Sequence, residues 1–330
     1  MPILNTLLAA TNFRNPFLRT LVPSIGLAYG LQAAVAIPSI ILQSERFYDL
    51  SGSLTYLSCT ALSLYLPALR ARSAAALAGK AAPAWPSLAD ALRGTGGPHG
   101  FNWRQVVLSA AVSVWASRLG SYLFQRILQD GEDSRFKNIR NSPPKFAVAF
   151  LAQATWVSLC LLPVMAINSL PAGTFASLGG AVAVTDVIGI LLYIGGLSFE
   201  VTADRQKSTW VEEKKAKKHD EDFLTRGLWS KSRHPNYFGE STLWTGIATL
   251  SAGVLSSNAG IAGMALAGGL TGKIIALLSA GVSPAFVTFL LLKVSGVPLS
   301  ESKYDKRYGD RADYKKWKET TPKFIPKIFG

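Results

Sequence analysis

The chain has 330 residues, of which 49% are hydrophobic and only 16% charged, and its net charge is +14. Soluble domains carry about a quarter charged residues. Here the deficit lies in long apolar runs, which sets aside a soluble enzyme and makes membrane topology a simpler cause of the basic balance than nucleic-acid binding.

A membrane-crossing helix needs roughly 20 mostly apolar residues. In chain order, such runs predict helices over 20–42, 50–69, 103–127, 146–168, 181–199, 237–255 and 280–297. The run 259–278 contains Lys273 and many glycines, so its helix propensity is weak. It is expected to be a re-entrant or lumenal segment. The expected fold is therefore all-α, a polytopic integral membrane bundle of about seven transmembrane helices forming a single domain over 1–330. Cys59 and Cys160 fall inside predicted spans and offer neither a disulfide framework nor metal spacing. With only His99, His219 and His234 present, no metal site is expected.

The polar interruptions are 70–102, 129–145, 202–233 and 300–330. The first holds Pro83, Pro86 and the cluster Gly94, Thr95, Gly96, Gly97 and Pro98. These glycines neither follow a strand nor open a helix, so they do not form a dinucleotide-binding turn. Seven crossings with the N-terminus outside would leave 43–49, 128–145, 200–235 and 298–330 in the cytoplasm. Those segments hold most of the loop lysines and arginines, as the positive-inside tendency requires. The exception is 70–102, which carries Arg70, Arg72, Lys80 and Arg93.

Several polar groups sit where burial would be costly without a partner or ligand. In the third predicted helix, Arg118, Tyr122 and Arg126 share one face. In the fifth, Glu200, Asp204 and Lys207 do the same, followed by an acid-base run at 212–222 that reads as a solvated face. The densest cluster is Ser232-Arg233-His234-Pro235-Asn236-Tyr237-Phe238-Gly239-Glu240. Pro235 suits the first turn of a helix, which places Asn236 and Tyr237 beside free backbone amides that favour anions. Arg233 can contact phosphate bidentately, and His234 can donate or carry a proton. Trp229 and Tyr237 offer flat surfaces. The tail interleaves cations with rings at Tyr304, Arg307, Tyr308 and Tyr314. Such a pattern suits a ligand with phosphates and rings, and also a membrane surface. The plainer alternative for each cluster is an interfacial aromatic belt with snorkelling cations or a charged helix end.

Glu200-x-x-x-Asp204-x-Gln206-Lys207, Gly227-Leu228-Trp229, the 232–240 motif, Ser295-Gly296-Val297-Pro298 and the Tyr-rich tail together resemble the steroid 5α-reductase-like superfamily. The likeness is to its uncharacterised branch of multi-pass proteins with a steroid-reductase-like C-terminal domain. It covers 118–330 and leaves 1–117 as variable N-terminal helices. The resemblance implies an NADPH-dependent oxidoreductase that reduces a carbon–carbon double bond in a lipid, steroid or sterol-like enone. Asp204, Gln206, Lys207, Trp229, Arg233, His234, Asn236, Tyr237, Glu240, Tyr304, Arg307, Tyr308 and Tyr314 would hold the cofactor. Arg118 and Tyr122 would act on the substrate carbonyl. The chain would be an integral membrane protein, in the endoplasmic reticulum if eukaryotic, with a cytoplasmic C-terminus. Its partners would be membrane lipids and a hydrophobic substrate, not nucleic acid. Arg233-His234-Pro235-x-Tyr237-x-Gly239 with Phe324-Ile325-Pro326 is also similar to isoprenylcysteine carboxyl methyltransferases, which implies S-adenosylmethionine instead. A non-enzymatic lipid-binding scaffold is the third reading.

Overall fold

The computed structural model describes residues 2–95, 100–179 and 181–327, so part of the glycine cluster at 94–98, and His99, fall outside the described residues. Among the described residues the chain is helical, without strands. The first six helices are α1 (Pro2–Ala10), α2 (Pro16–Ile41), α3 (Tyr48–Leu77), α4 (Leu88–Arg93), α5 (Trp103–Asp130) and α6 (Pro143–Ser169). They are followed by α7 (Ala172–Ser177), α8 (Val184–Lys215), α9 (Pro235–Leu255), α10 (Asn258–Gly263), α11 (Gly269–Phe289), α12 (Val297–Tyr308) and α13 (Ala312–Thr320). Prolines open α2, α6 and α9, where the missing N–H costs nothing. Asn102 caps α5, its side chain accepting from Arg104 N at 3.0 Å while its own N–H donates to Gln105 Oε1 at 2.8 Å.

Five helical stretches among the described residues are long and apolar enough to cross a membrane: α2, α5, α6, α8 and the stretch Gly269–Tyr308. This composition is compatible with an integral, multi-pass membrane protein. Long helices also occupy the two remaining expected runs, as α3 and α9, but hydroxyl and charged residues keep both below that apolarity. The segment 259–278 is mostly helical despite its glycines. It is split between α10 and α11, with Ala265 at φ +52° in the turn between them. The apolar residues Ile274 to Leu278 carry α11 through the glycines and start that helix well before residue 280.

The chain forms two compact units. Unit 1 is Met1–Val184 with Ser251–Ser283, and unit 2 is Thr185–Leu250 with Pro284–Gly330. In unit 1, α2 packs on α3 and α6, and α3 packs on α5 and α6. The ring of Tyr56 meets Trp115 and Trp156 edge-on at 5.1 and 5.0 Å. Buried amides find one another, as an apolar environment demands. Gln32 Nε2 donates to Thr55 Oγ1 at 2.8 Å, and Gln153 Nε2 donates to Gln32 Oε1 at 2.9 Å.

In unit 2, α8 and α9 approach to backbone contact. Gly189 and Gly196 lie two turns apart on α8, and Gly239 and Gly246 two turns apart on α9. A Cβ at Gly196 would lie 2.4 Å from Leu243 N, and one at Gly246 2.5 Å from Tyr193 N. Only small residues permit such a seam. It sets the polar end of α8 beside the start of α9. There Asn236 Nδ2 donates to Asp204 Oδ1 at 3.2 Å. The C-terminal segment then straps the 231–233 turn. Arg233 N donates to Pro322 O at 2.9 Å, Ser232 Oγ to Phe324 O at 2.8 Å, and Lys327 N to Lys231 O at 2.9 Å.

Candidate ligand site in unit 2

Beyond Glu200, α8 continues as a polar helix on which Lys207, Trp210 and Lys214 share one face. The turn Gly227–Ser230 folds back onto it, with Gly227 in the left-handed region at φ +59°. Gln206 Oε1 accepts from Leu228 N at 2.9 Å and Trp229 Nε1 donates to Ala203 O at 3.0 Å, so this turn is fixed at two points. Lys207 Nζ lies 5.2 Å over the Trp229 ring.

Next come Arg233 and His234, facing Glu301 from α12. Arg233 Nη1 lies 2.8 Å and His234 Nε2 3.3 Å from Glu301 Oε1. The His234 ring stacks on Tyr237 at 5.4 Å, nearly parallel. Burial pushes the His234 pKa below its usual value, helped by the charges of Arg233 and Lys207 and opposed by the hydrogen bond and charge of Glu301. The imidazole is therefore neutral near pH 7. From α13, Tyr314 and Trp317 pack with Phe223 and Tyr308. Tyr314 is buried, and its hydroxyl donates to Asp305 Oδ1 at 2.7 Å.

Two neighbouring cavities result. The inner one leaves about 40 Å³ for the centres of water-sized molecules, room for a small group only. Its rings are Trp210, Phe223, Trp229, Tyr304, Tyr314 and Trp317, and its polar groups are Lys207, Arg233, His234, Ser300 and Glu301. Arg233 Nε and Trp317 Nε1 are buried here without a hydrogen-bond partner. The outer cavity, about 330 Å³ on the same measure, shares Trp210 and Tyr304 with the inner one and adds Tyr308. Lys214, Lys215, Lys303 and Arg307 line it, against one carboxylate, Asp222. Hydrogen bonds from Arg311 and Lys214 hold that carboxylate below the usual range.

A match to a family described as "Protein of unknown function (DUF1295)" spans residues 87–321. The chain belongs to the DUF1295 family. No curated protein and no solved structure matches the chain. The DUF1295 match runs from just before α4 to just past α13. It therefore takes in every residue lining the two cavities and leaves α1 to α3 outside.

Within this DUF1295 chain, the structure brings together Lys207, Trp229, Arg233, His234, Tyr304 and Tyr314 at the inner cavity, and Tyr304, Arg307 and Tyr308 at the outer one. Asp204 and Asn236 pair with each other and line neither, although Asn236 Oδ1 is buried without a partner. Gln206 is engaged by Leu228 N. Tyr237 packs between the His234 ring and Gly296, where a Cβ would lie 2.9 Å from Tyr237 Cε2. Glu240 is half-buried on α9. Arg118 and Tyr122 are half-buried on α5, in unit 1. Sequence reasoning missed Trp210, Phe223, Glu301 and Trp317 as lining residues, and it read Lys214, Lys215 and Asp222 as part of a solvated face although they line the outer cavity with Lys303. Trp210 was findable, since it follows Lys207 by three positions on one helical face. Among the described residues, no group of three His, Cys, Asp or Glu could hold a metal ion.

Proposed function

We propose that the chain is an NADPH-dependent membrane oxidoreductase that reduces a carbon–carbon double bond conjugated to a carbonyl in a lipid, steroid or sterol-like substrate. The observation that carries this reading is the outer cavity, where four cations and three aromatic rings surround one already-paired carboxylate. NADPH presents three phosphates and two ring systems, so the donor set fits it; S-adenosylmethionine brings no phosphate and a sulfonium cation. Lys214, Lys215, Lys303 and Arg307 would hold the phosphates, and Trp210, Tyr304 and Tyr308 would face the rings. When bound, the cofactor supplies the hydride. The unspent donors Arg233 Nε and Trp317 Nε1 are fixed in a buried site. Donors of that kind stabilise developing negative charge without having to reorganise. Neutral His234 is a proton carrier at the same place. The steroid 5α-reductase-like resemblance supports the same chemistry. The excess of Lys and Arg in 200–235 and 298–330 supports a cytoplasmic C-terminus, at the endoplasmic reticulum in a eukaryotic cell.

One observation favours a methyltransferase. The inner cavity surrounds the Glu301 carboxylate with aromatic faces, a setting that attracts a sulfonium cation. Thermal unfolding of the detergent-purified protein with NADPH, NADH and S-adenosylmethionine separates the readings. At a hundredfold excess over Kd, a true ligand adds about 2.7 kcal/mol. NADPH is expected to stabilise the protein. Stabilisation by S-adenosylmethionine alone would sink the reductase, and no shift with any of the three would leave the lipid-binding scaffold.

A further inference from the structure

We propose that unit 1 carries a separate site for the phosphate headgroup of an anionic phospholipid, held by Arg19 and Arg70. The inference does not rest on the reductase reading. Arg19 lies near the start of α2 and Arg70 near the end of α3. Both line a cavity of about 590 Å³. Arg70 Nη2 donates to the main-chain carbonyl of Arg19 at 3.1 Å, which ties the end of α3 to the start of α2 where both residues line the cavity. Arg70 makes its remaining bonds to neutral acceptors only: Leu8 O at 2.6 Å, Thr11 O at 3.0 Å and Thr11 Oγ1 at 2.8 Å. Its Nε is buried with no partner. Arg19 donates Nε to Phe13 O at 2.8 Å, and among the described residues its two terminal nitrogens meet no acceptor.

Among the described residues, no carboxylate pairs with either arginine. The cluster around Asp49, at the opposite end of α3, shows what local compensation looks like. There Arg126, Arg135 and Arg140 each lie within 3.2 Å of a carboxylate oxygen. Two adjacent cations without a counter-charge repel each other, and an anion placed between them removes that cost. The cavity is also amphiphilic. Leu8, Pro67, Leu77 and Leu170 supply apolar wall, and Asn5 and Asn12 add amide groups beside the cations. Phosphate against the guanidinium groups and acyl chains against the leucines is the chemistry of a phospholipid. Guanidinium groups suit such headgroups because their planar N–H donors match phosphate oxygens in pairs. This also gives a physical role to Arg70, which departs from the positive-inside pattern.

The test uses the full chain in neutral detergent, with native mass spectrometry and thermal unfolding as readouts. The probes are short-chain phosphatidylglycerol, the zwitterionic phosphatidylcholine of equal chain length, and inorganic phosphate. Phosphatidylglycerol should bind saturably and at least about fivefold more tightly than phosphatidylcholine, and Arg19→Gln should weaken it about fivefold while leaving phosphatidylcholine unchanged. Equal binding of the two lipids by the wild-type chain would overturn the site without recourse to any variant. So would an unchanged phosphatidylglycerol affinity in Arg19→Gln. Inorganic phosphate binding as tightly as phosphatidylglycerol would overturn the lipid assignment.

Discussion

Two charge clusters, one in each unit, use their cations in opposite ways. In unit 1, Arg135 bridges Asp49 and Asp133, both at 2.7 Å; Arg126 reaches Asp133 at 3.2 Å, and Arg140 reaches Glu132 at 2.7 Å. Glu45 closes the loop by accepting from Asp133 N at 2.9 Å. Burial alone would raise the Asp133 pKa, but the hydrogen bond and charge of Arg135, with Arg126 behind it, hold it below the usual range. In unit 2 the carboxylates are outnumbered. Glu301 serves both Arg233 and His234, Arg233 Nε is left without a partner, and exposed Lys303 and Arg307 border a cavity rather than an acid. A closed network of matched charges ties helix ends together. An open one leaves buried donors unspent, and a counter-charge arriving from outside would complete it.

The sharpest way to break this comparison is to remove the central carboxylate from each cluster. Glu301→Ala should destabilise the protein by about 3–5 kcal/mol, because Arg233 would stay buried without its counter-ion. Asp133→Ala should cost less, about 1–3 kcal/mol, since Arg126 and Arg135 are each at least 40% exposed and water can replace the lost bonds. Denaturation of both variants, each with and without NADPH, is the measurement. Weaker NADPH binding in Asp133→Ala with none in Glu301→Ala would reverse the assignment of roles.

The scaffold of the open cluster can be tested at the α8–α9 seam. Gly196→Ala puts a methyl group 2.4 Å from a backbone nitrogen, which no side-chain rotation relieves. Overpacking of this kind costs about 1–3 kcal/mol. Thermal unfolding should show that loss, and unchanged stability would mean that the helices slide apart freely. A gentler perturbation addresses charge alone. Lys303→Ala with Arg307→Ala should lower NADPH affinity about tenfold, less at high salt, because exposed cations contribute up to about 1 kcal/mol each and are screened. Stability without ligand should hold within about 0.5 kcal/mol. Equal NADPH affinity, measured by titration, would remove the outer cavity from the proposal.

Much of the scaffold was legible in the sequence because apolar runs and helix-starting prolines act locally. Pro235 opens α9 where the motif places it, and helix covers most of each expected run. The 259–278 segment was not legible, since its glycines argue against helix while its isoleucines and leucines argue for it. The site was only half legible. Rings and cations announced themselves, but which of them face a cavity depends on contacts far apart in sequence. Glu301 matters because the tail returns to residues 231–233. Tyr314 reads as a ligand-facing ring, and its ring does line the inner cavity while Asp305 holds its hydroxyl. Gln206 reads as a cofactor contact, and in the structure its carbonyl also fastens the turn that presents Trp229.

The smallest expected effect concerns protonation. His234 has a folded-state pKa below its value in the unfolded chain, chiefly through burial and despite Glu301. A depressed pKa means that the unfolded state binds the proton more readily. The stability tied to neutral His234 is then fully present above about pH 6.5, the unfolded value, and is lost as pH falls through that value toward the folded one. His234→Gln keeps a polar side chain but cannot titrate. The stability difference between wild type and His234→Gln should therefore shrink from pH 7.5 to 5.5, with a slope no steeper than about 1.4 kcal/mol per pH unit. Paired denaturation curves at several pH values read this directly. The unit 1 network contains no histidine, so Asp133→Ala should show no such change over the same range. If wild type instead gains on His234→Gln as the solution is acidified, Glu301 outweighs burial. The imidazole would then be a second fixed cation beside Arg233, making the open cluster still more short of negative charge.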